Sequence, residues 1–320
     1  MKAIIRKKYG TPELLSLAEI NSPRINSDEI LVNVKATTVN RTDCGILIGK
    51  PYLIRAFTGL FKPSSLVPGT DFAGEVCQVG SNIKEYKVGD RVWGLNDEGL
   101  ASHAEFMKIK ADQAISIIPD SFSFTEAVAC AEGAHYAYNF INKVKLKPGD
   151  KVLVNGGTGA IGSASIQLLK HLKVHVVATS NTVNLERVKG LGADEVIDYE
   201  KEDFTQLNSE FEFVFDAVGK STFGACKKIL TPKGIYISSE LGPWSQNIIF
   251  ALFTPFLGGK KVIFPIPKNR KESIIHLNKL MTNGEFQPLI DKSYKMADIK
   301  DAYKYVMTGQ KIGNVILEMN

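Results

Sequence analysis

The stretch Lys151–Gly162, KVLVNGGTGAIG, decides the fold, together with the run SASIQLLKHL behind it. Val152, Leu153 and Val154 make a short aliphatic run of the kind shown by a strand buried on both faces. Four glycines follow, Gly156, Gly157, Gly159 and Gly162. Helical periodicity then begins, with Ile161, Ala164, Ile166, Leu168 and Leu169 as its apolar positions. Gly156, Gly159 and Gly162 read G-x-x-G-x-x-G, a relative of the fingerprint that joins strand to helix around a dinucleotide. Its glycines serve a tight turn, close backbone approach to a pyrophosphate and close helix–strand packing. The N–H groups at the helix start attract the diphosphate. A second strand, Val174–Ala178, follows at the right distance, so a bound dinucleotide is expected. The competing reading is a Gly-rich turn that only packs.

The end of that second strand bears on which dinucleotide. An NAD site usually places Asp or Glu there for the ribose hydroxyls. This chain has Thr179, Ser180 and Asn181, and its first carboxylate is Glu186, with Arg187 beside it. Hydroxyl donors without negative charge leave room for a 2′-phosphate, which favours NADP(H). The same residues also suit the cap of the next helix.

Working outward, strands and helices alternate from Lys151 on: VLVN, VHVVA, EVIDY, FEFVFDAVG and GIYISSE. This βαβ series implies a parallel sheet covered on both faces. Phe124–Val144 reads as helix, as do Lys271–Asn283 and Met296–Thr308, and NVILEM is a closing strand. Before about Asp120 the texture is that of short strands and tight turns, as in AIIRKKY, EILVNVKATTVN, AGEVCQVG and DRVWGL. Between Gly45 and Pro68 lies a longer aromatic and basic insertion, which reads as a flap over a site or as a packed surface loop.

Composition narrows the class. The 320 residues suffice for two domains with their own cores. A net charge of +5, spread along the chain, suits an anionic cofactor and is too small to argue for nucleic acid. The longest apolar run, Ile248–Gly259, is interrupted by Thr254 and Pro255 and falls short of the roughly 20 residues of a membrane span. The N-terminus lacks a signal-peptide apolar region, and a cytoplasmic location is expected. Cys44, Cys77, Cys130 and Cys226 are far apart and form no C-x-x-C pair, which argues against structural zinc and against a disulfide framework.

Several motifs carry a family likeness over essentially the whole chain: VNRTDCG (39–45), PGTDFAGEV (68–76), VGDRVWG (88–94), NGGTGAIG (155–162), LGADEVIDY (191–199) and FDAVG (215–219). The sequence resembles the medium-chain dehydrogenase/reductase superfamily, and within it the zinc-free quinone oxidoreductase-like branch. The resemblance implies an α/β architecture, with a GroES-like β-barrel domain plus a Rossmann domain built on a doubly wound parallel sheet. The expected boundaries are 1–121 for the first part of the catalytic domain, 122–264 for the NADP-binding domain and 265–320 for the return. A cofactor cleft is implied where the domains meet.

Zinc-dependent relatives carry Cys near the start of the motif that here reads Asn40-Arg41-Thr42-Asp43, and G-H-E where this chain has Gly69-Thr70-Asp71. Without soft or imidazole ligands no metal site is expected. Hydride transfer then needs an acceptor already electrophilic, so the expected activity is NADPH-dependent reduction of a quinone or an α,β-unsaturated carbonyl. A metal-free carbonyl–alcohol dehydrogenase and a non-catalytic NADPH-binding sensor or scaffold are the alternatives. In similar proteins the residues matching Asn40 and Asp43 line the nicotinamide end of the cleft. Tyr52 is the candidate proton donor or carbonyl anchor, with packing or gating as its competing role. Gly156, Thr158, Gly159, Ala160, Ile161 and Gly162 match the pyrophosphate loop. Thr179 and Ser180 match the 2′-phosphate side, and Asn184 stands where some relatives have Lys. Tyr199 matches a Tyr beside the adenosine, and Lys311 lies near where relatives reach back to the cofactor. His135 falls close to a nicotinamide-contacting Thr of relatives. Lys261–Phe264, beside the run Ile248–Leu257, suits either a homodimer contact or a cover for the chain's own substrate cleft.

Overall fold

A computed structural model of the chain describes residues 1–97 and 99–319. The chain forms two compact units, Met1–Glu132 joined by the C-terminal segment from Asn269, and Gly133–Lys268. The helix Phe124–Ala129, which the sequence grouped with the second unit, packs on the strands Glu29–Val39 and Asp71–Val79 of the first. The single helix expected over 124–144 is two, Phe124–Ala129 and Glu132–Ile141, parted at Cys130 and Ala131.

The second unit is a six-stranded parallel sheet. In spatial order its strands are Glu195–Asp198, His175–Ser180, Lys151–Asn155, Phe211–Asp216, Leu230–Ser238 and Lys261–Ile263. The chain runs outward from Lys151–Asn155 to one edge, then returns to lay Phe211–Asp216 on that strand's other side. Val152, Val154, Ile166, Leu169, Val176 and Phe215 fill one face of the sheet, and Leu153, Val177, Val214 and Tyr236 the other. Burial on both faces explains why these strands read as continuous apolar runs. The reversal of strand order falls between the carboxyl ends of Lys151–Asn155 and Phe211–Asp216, the place where open α/β sheets bind ligands.

The first unit is built on a seven-stranded sheet around the long strand Glu29–Val39. It pairs antiparallel with Asp71–Val79, with Phe106–Lys110 and with the closing strand Asn314–Glu318. Register shifts at Leu31/Val32 and Val34/Ala36 let one strand bend to serve several partners. Ile30, Val32, Val34, Phe72, Val76, Met107 and Val315 form the core, which Tyr303 and Val306 of the helix Ile299–Met307 close. The C-terminal segment thus completes the first unit's sheet and core. No helix among the described residues is long and apolar enough to cross a membrane.

Candidate active site

At the reversal point of the second unit, the three fingerprint glycines do three different things. Gly156 has φ +90°, and a Cβ on it would lie 2.4 Å from Val218 Cγ1. Gly162 starts the close packing of the helix Ala160–His171, since a Cβ there would lie 2.1 Å from the Gly156 carbonyl oxygen. Gly159 differs: a Cβ on it would meet Gly156 O at 3.5 Å and Val218 Cγ1 at 3.9 Å, ordinary contact distances, so the fold itself does not require glycine there. Gly159 sits at the helix N-cap, where the first N–H groups have no partner within the helix. Thr158, Gly159 and Ile161 are half-exposed, whereas Gly156, Ala160 and Gly162 are buried. A cradle of this shape and polarity fits a dinucleotide diphosphate.

A chain of buried hydrogen bonds fixes the loop. The Thr179 hydroxyl accepts from Gly156 N–H at 2.8 Å and donates to Asn155 Oδ1 at 2.8 Å. Asn155 Nδ2 donates to Asp216 Oδ1 at 3.0 Å, and Tyr236 O–H donates to Asp216 Oδ2 at 2.7 Å. Gly219 N–H also donates to Asp216 Oδ1, which sets the turn carrying Val218. Burial pushes the Asp216 carboxyl above its usual range, and the Tyr236 and Asn155 bonds work against that push.

Thr179 is therefore fully enclosed and committed to the loop. Ser180 is enclosed as well, donating to the Asn181 carbonyl at 3.2 Å. Asn184 is buried, with Nδ2 on Asn181 Oδ1 at 2.7 Å and Oδ1 accepting from Arg187 Nη1 at 3.3 Å. Tyr199 is half open, and its N–H meets Ser180 O at 3.0 Å, so the two strand ends lie side by side. The neighbouring strand end supplies Asp198, whose Oδ2 accepts from Thr182 O–H at 2.6 Å. His135 is buried in the helix Glu132–Ile141. The sequence reading missed Asn155, Asp198 and Asp216. The available signal was that Asn155 and Asp216 end the two strands flanking the reversal.

The first unit holds a second polar cluster, almost entirely enclosed. Asn40 and Asp43 form a capping box on the helix Arg41–Ile48: Asn40 Oδ1 accepts from Asp43 N–H at 2.8 Å, and Asp43 Oδ2 accepts from Asn40 N–H at 3.2 Å. Asn40 Nδ2 donates to Thr70 Oγ1 at 2.8 Å and to Thr38 Oγ1 at 3.2 Å. Asp71 accepts from Thr38 N–H at 2.7 Å, from Thr38 O–H at 2.5 Å and from Thr37 O–H at 3.1 Å. Burial pushes Asp71 up to about 6 against those bonds. Asp43 is raised well above the carboxylate range, by burial first and the Asp71 charge second, with the enclosed Arg6 opposing. His103 is lowered to about 4 by burial, so it is a neutral imidazole and its 4.0 Å approach to Asp43 is no ion pair near neutrality. Its Nε2 lies 3.0 Å from Thr38 O, which assigns the proton to that nitrogen.

Tyr52 and Lys311 complete the sequence-derived set. Tyr52 is 68 % exposed, with the Arg55 guanidinium 5.0 Å from its ring centroid. Lys311 Nζ donates to Gly313 O, and burial lowers its pKa while the Glu132 charge raises it. Glu132 accepts from Thr42 O–H at 2.7 Å and is pushed up to about 7 by burial. The structure thus groups Asn40, Asp43 and Thr70 in one network, and Lys311 with Glu132.

The six-stranded sheet, its glycine turn and the strand-rich partner unit define a Rossmann-bearing oxidoreductase fold. Residues 26–132 match the family model described as "Alcohol dehydrogenase GroES-like domain", and residues 191–317 that described as "Zinc-binding dehydrogenase". The chain is 32 % identical to the 2-methylene-furan-3-one reductase of Solanum lycopersicum, over 99 % of this chain and 79 % of that protein. It is 29 % identical, with the same coverage, to the NADPH-dependent alkenal/one oxidoreductase of Arabidopsis thaliana chloroplasts. The solved Escherichia coli quinone oxidoreductase, complexed with NADPH, superposes with a TM-score of 0.83 over 100 % of both chains at 24 % identity. The chain belongs to the medium-chain dehydrogenase/reductase superfamily of enzymes, in its quinone oxidoreductase-like branch.

Proposed function

We propose that this chain is an NADPH-dependent reductase that works without zinc and delivers hydride to a quinone or an α,β-unsaturated carbonyl. The names of the relatives support the cofactor and the acceptor class. The zinc-independent part rests on one observation, the 2.8 Å bond from Asn40 Nδ2 to Thr70 Oγ1. These are the positions where the resemblance puts zinc ligands. Here one presents an N–H donor to the other's hydroxyl, a donor set with no affinity for zinc.

When bound, NADPH supplies a hydride from nicotinamide C4. The N–H groups of Ala160, Ile161 and Gly162 would hold its diphosphate, and the absence of a side chain on Gly159 would allow close approach. Tyr199, half exposed beside Ser180, offers its ring to the adenosine. The 2′-phosphate falls to exposed groups beyond Ser180, with Arg187 the nearest cation in sequence, because Thr179 is spent on the loop. On the first unit the Tyr52 hydroxyl protonates the oxygen of the reduced acceptor, and Arg55, tied to Gly49 O through Nε at 3.0 Å, steadies its ring.

A dimer through the strand Lys261–Ile263, last in the sheet order, is part of the same proposal; exposed Phe253, Phe256 and Leu257 lie in the segment leading to it. Light scattering at several concentrations tests it, and a monomer throughout rejects it. For the activity, NADPH oxidation is followed with quinones, enones and simple aldehydes, with NADH and EDTA controls. EDTA-insensitive turnover of quinones or enones is expected. Turnover confined to aldehydes and lost with metal removal overturns the reading.

A further inference from the structure

The first unit carries an exposed apolar tip flanked by cations. Between Asp43 and Asp71 the sequence has no acidic residue, and both of those carboxylates are buried. The segment 57–66 instead exposes Phe57 (83 %), Leu60 (63 %), Phe61 (89 %) and Leu66 (54 %). The tip is a tight loop. Ser64 N–H and O–H both donate to Thr58 O, at 2.8 and 3.1 Å, and a Cβ on Gly59 would lie 2.0 Å from Lys62 O. Leu60, Phe61 and Lys62 are held at its end.

The segment Arg6–Tyr9, which follows the N-terminal strand Lys2–Ile5, is clipped alongside at two points. Arg6 N–H donates to Leu66 O at 2.8 Å, and Tyr9 O–H donates to Gly59 O at 2.6 Å. Exposed Lys7 and Lys8 lie between those clips and therefore flank the loop, with Lys62 on the loop itself and Lys50 on the preceding turn. The Arg55 guanidinium lies 4.7 Å from the Tyr9 ring centroid, which ties the preceding turn to the same segment. Exposed phenyl and aliphatic side chains that carry no hydrogen-bonding tip, with lysines beside them and no acidic residue in the segment, match the surface of an anionic bilayer. There the apolar groups enter the acyl boundary and the ammonium groups meet the headgroups.

We infer that the loop Thr58–Ser64, with Lys7, Lys8 and Lys62, is a docking surface for anionic phospholipid membranes. The test is flotation of the full chain with phosphatidylcholine vesicles, with and without phosphatidylserine, at low and high salt. Binding is expected only with phosphatidylserine, and it weakens with salt. Lys62→Ala lowers the partition coefficient about fivefold, from the value of one cation near an anionic surface. Phe61→Ser lowers it about tenfold or more, from the burial of one aromatic side chain. Lys233→Ala, an exposed cation of the second unit, leaves it unchanged. Thermal midpoints are compared so that only folded variants count. Absence of vesicle binding at low salt overturns the inference, as does binding that Phe61→Ser does not weaken. A Lys233→Ala loss equal to that of Lys62→Ala also overturns it, because that pattern belongs to the overall positive charge.

Discussion

Replacing Thr179 with Val separates two roles for a residue at the carboxyl end of the strand His175–Ser180, where the sequence places the 2′-phosphate. The structure gives its hydroxyl two buried partners, Gly156 N–H and Asn155 Oδ1, each at 2.8 Å. Val keeps the shape, so no cavity term enters, but both partners are left unsatisfied away from water. A buried donor or acceptor without a partner costs about 1–3 kcal/mol, so the substitution costs roughly 2–4 kcal/mol after partial relaxation. Thr179→Ser retains the hydroxyl and serves as the control. Denaturant unfolding reads the stability, and fluorescence titration with NADPH and NADH reads the binding. A lowered midpoint is expected for Thr179→Val, with both nucleotides weakened by a similar factor, because the loop that loosens is the one proposed to hold the diphosphate common to both. An unchanged midpoint with selective loss of NADPH would refute the reasoning. It would mean that the hydroxyl faces the 2′-phosphate after all.

Gly162→Ala places a methyl 2.1 Å from the Gly156 carbonyl, and overpacking of this kind costs about 1–3 kcal/mol; nucleotide affinity and unfolding midpoint should fall together, and a wild-type affinity contradicts the packing role. Tyr52→Phe should lower kcat about a hundredfold with little change in KM, the scale of one general acid, and an unchanged kcat removes Tyr52 from the chemistry. Glu132 is raised by burial from 4.5 to about 7, so between those pH values the folded chain holds a proton that the unfolded chain has released. Its contribution to stability therefore falls as pH rises through that window. Glu132→Gln keeps an acceptor for Thr42 and removes the titration, so variant and wild-type stabilities should diverge in the variant's favour from pH 4.5 to about 7; parallel curves count against a raised Glu132.

The architecture was legible where burial on both faces writes a continuous apolar run. Val152–Val154, Val174–Ala178 and Phe211–Phe215 announce the parallel sheet because each strand is covered by helices on both sides, and each lies in it. The glycine loop was legible for a related reason. Positive φ at Gly156 and the contact at Gly162 tolerate no other residue, so the geometry is visible in residue type alone. The helix break at Cys130 and Ala131 was not visible: an apolar, alanine-rich run carries no punctuation, and tertiary packing of the Phe124–Ala129 helix on the first unit's sheet decides where it stops.

Side-chain direction was the part that sequence could not supply. Thr179 and Ser180 have the chemistry of phosphate ligands, but a residue at a strand end points either toward the ligand or into the turn beneath it, and one residue of phase decides which. The enclosed hydroxyl of Thr179 falls on the inner side, where it completes a line from Tyr236 through Asp216 and Asn155 to Gly156. The same ambiguity covers Asn40. Its motif position identified it, yet its carboxamide is consumed by the cap of Arg41–Ile48 and by Thr38 and Thr70. Both cases share one physical logic. A polar side chain buried next to a ligand loop must first satisfy the backbone it is buried with, so the residues that shape such a site are often those least free to touch what binds there.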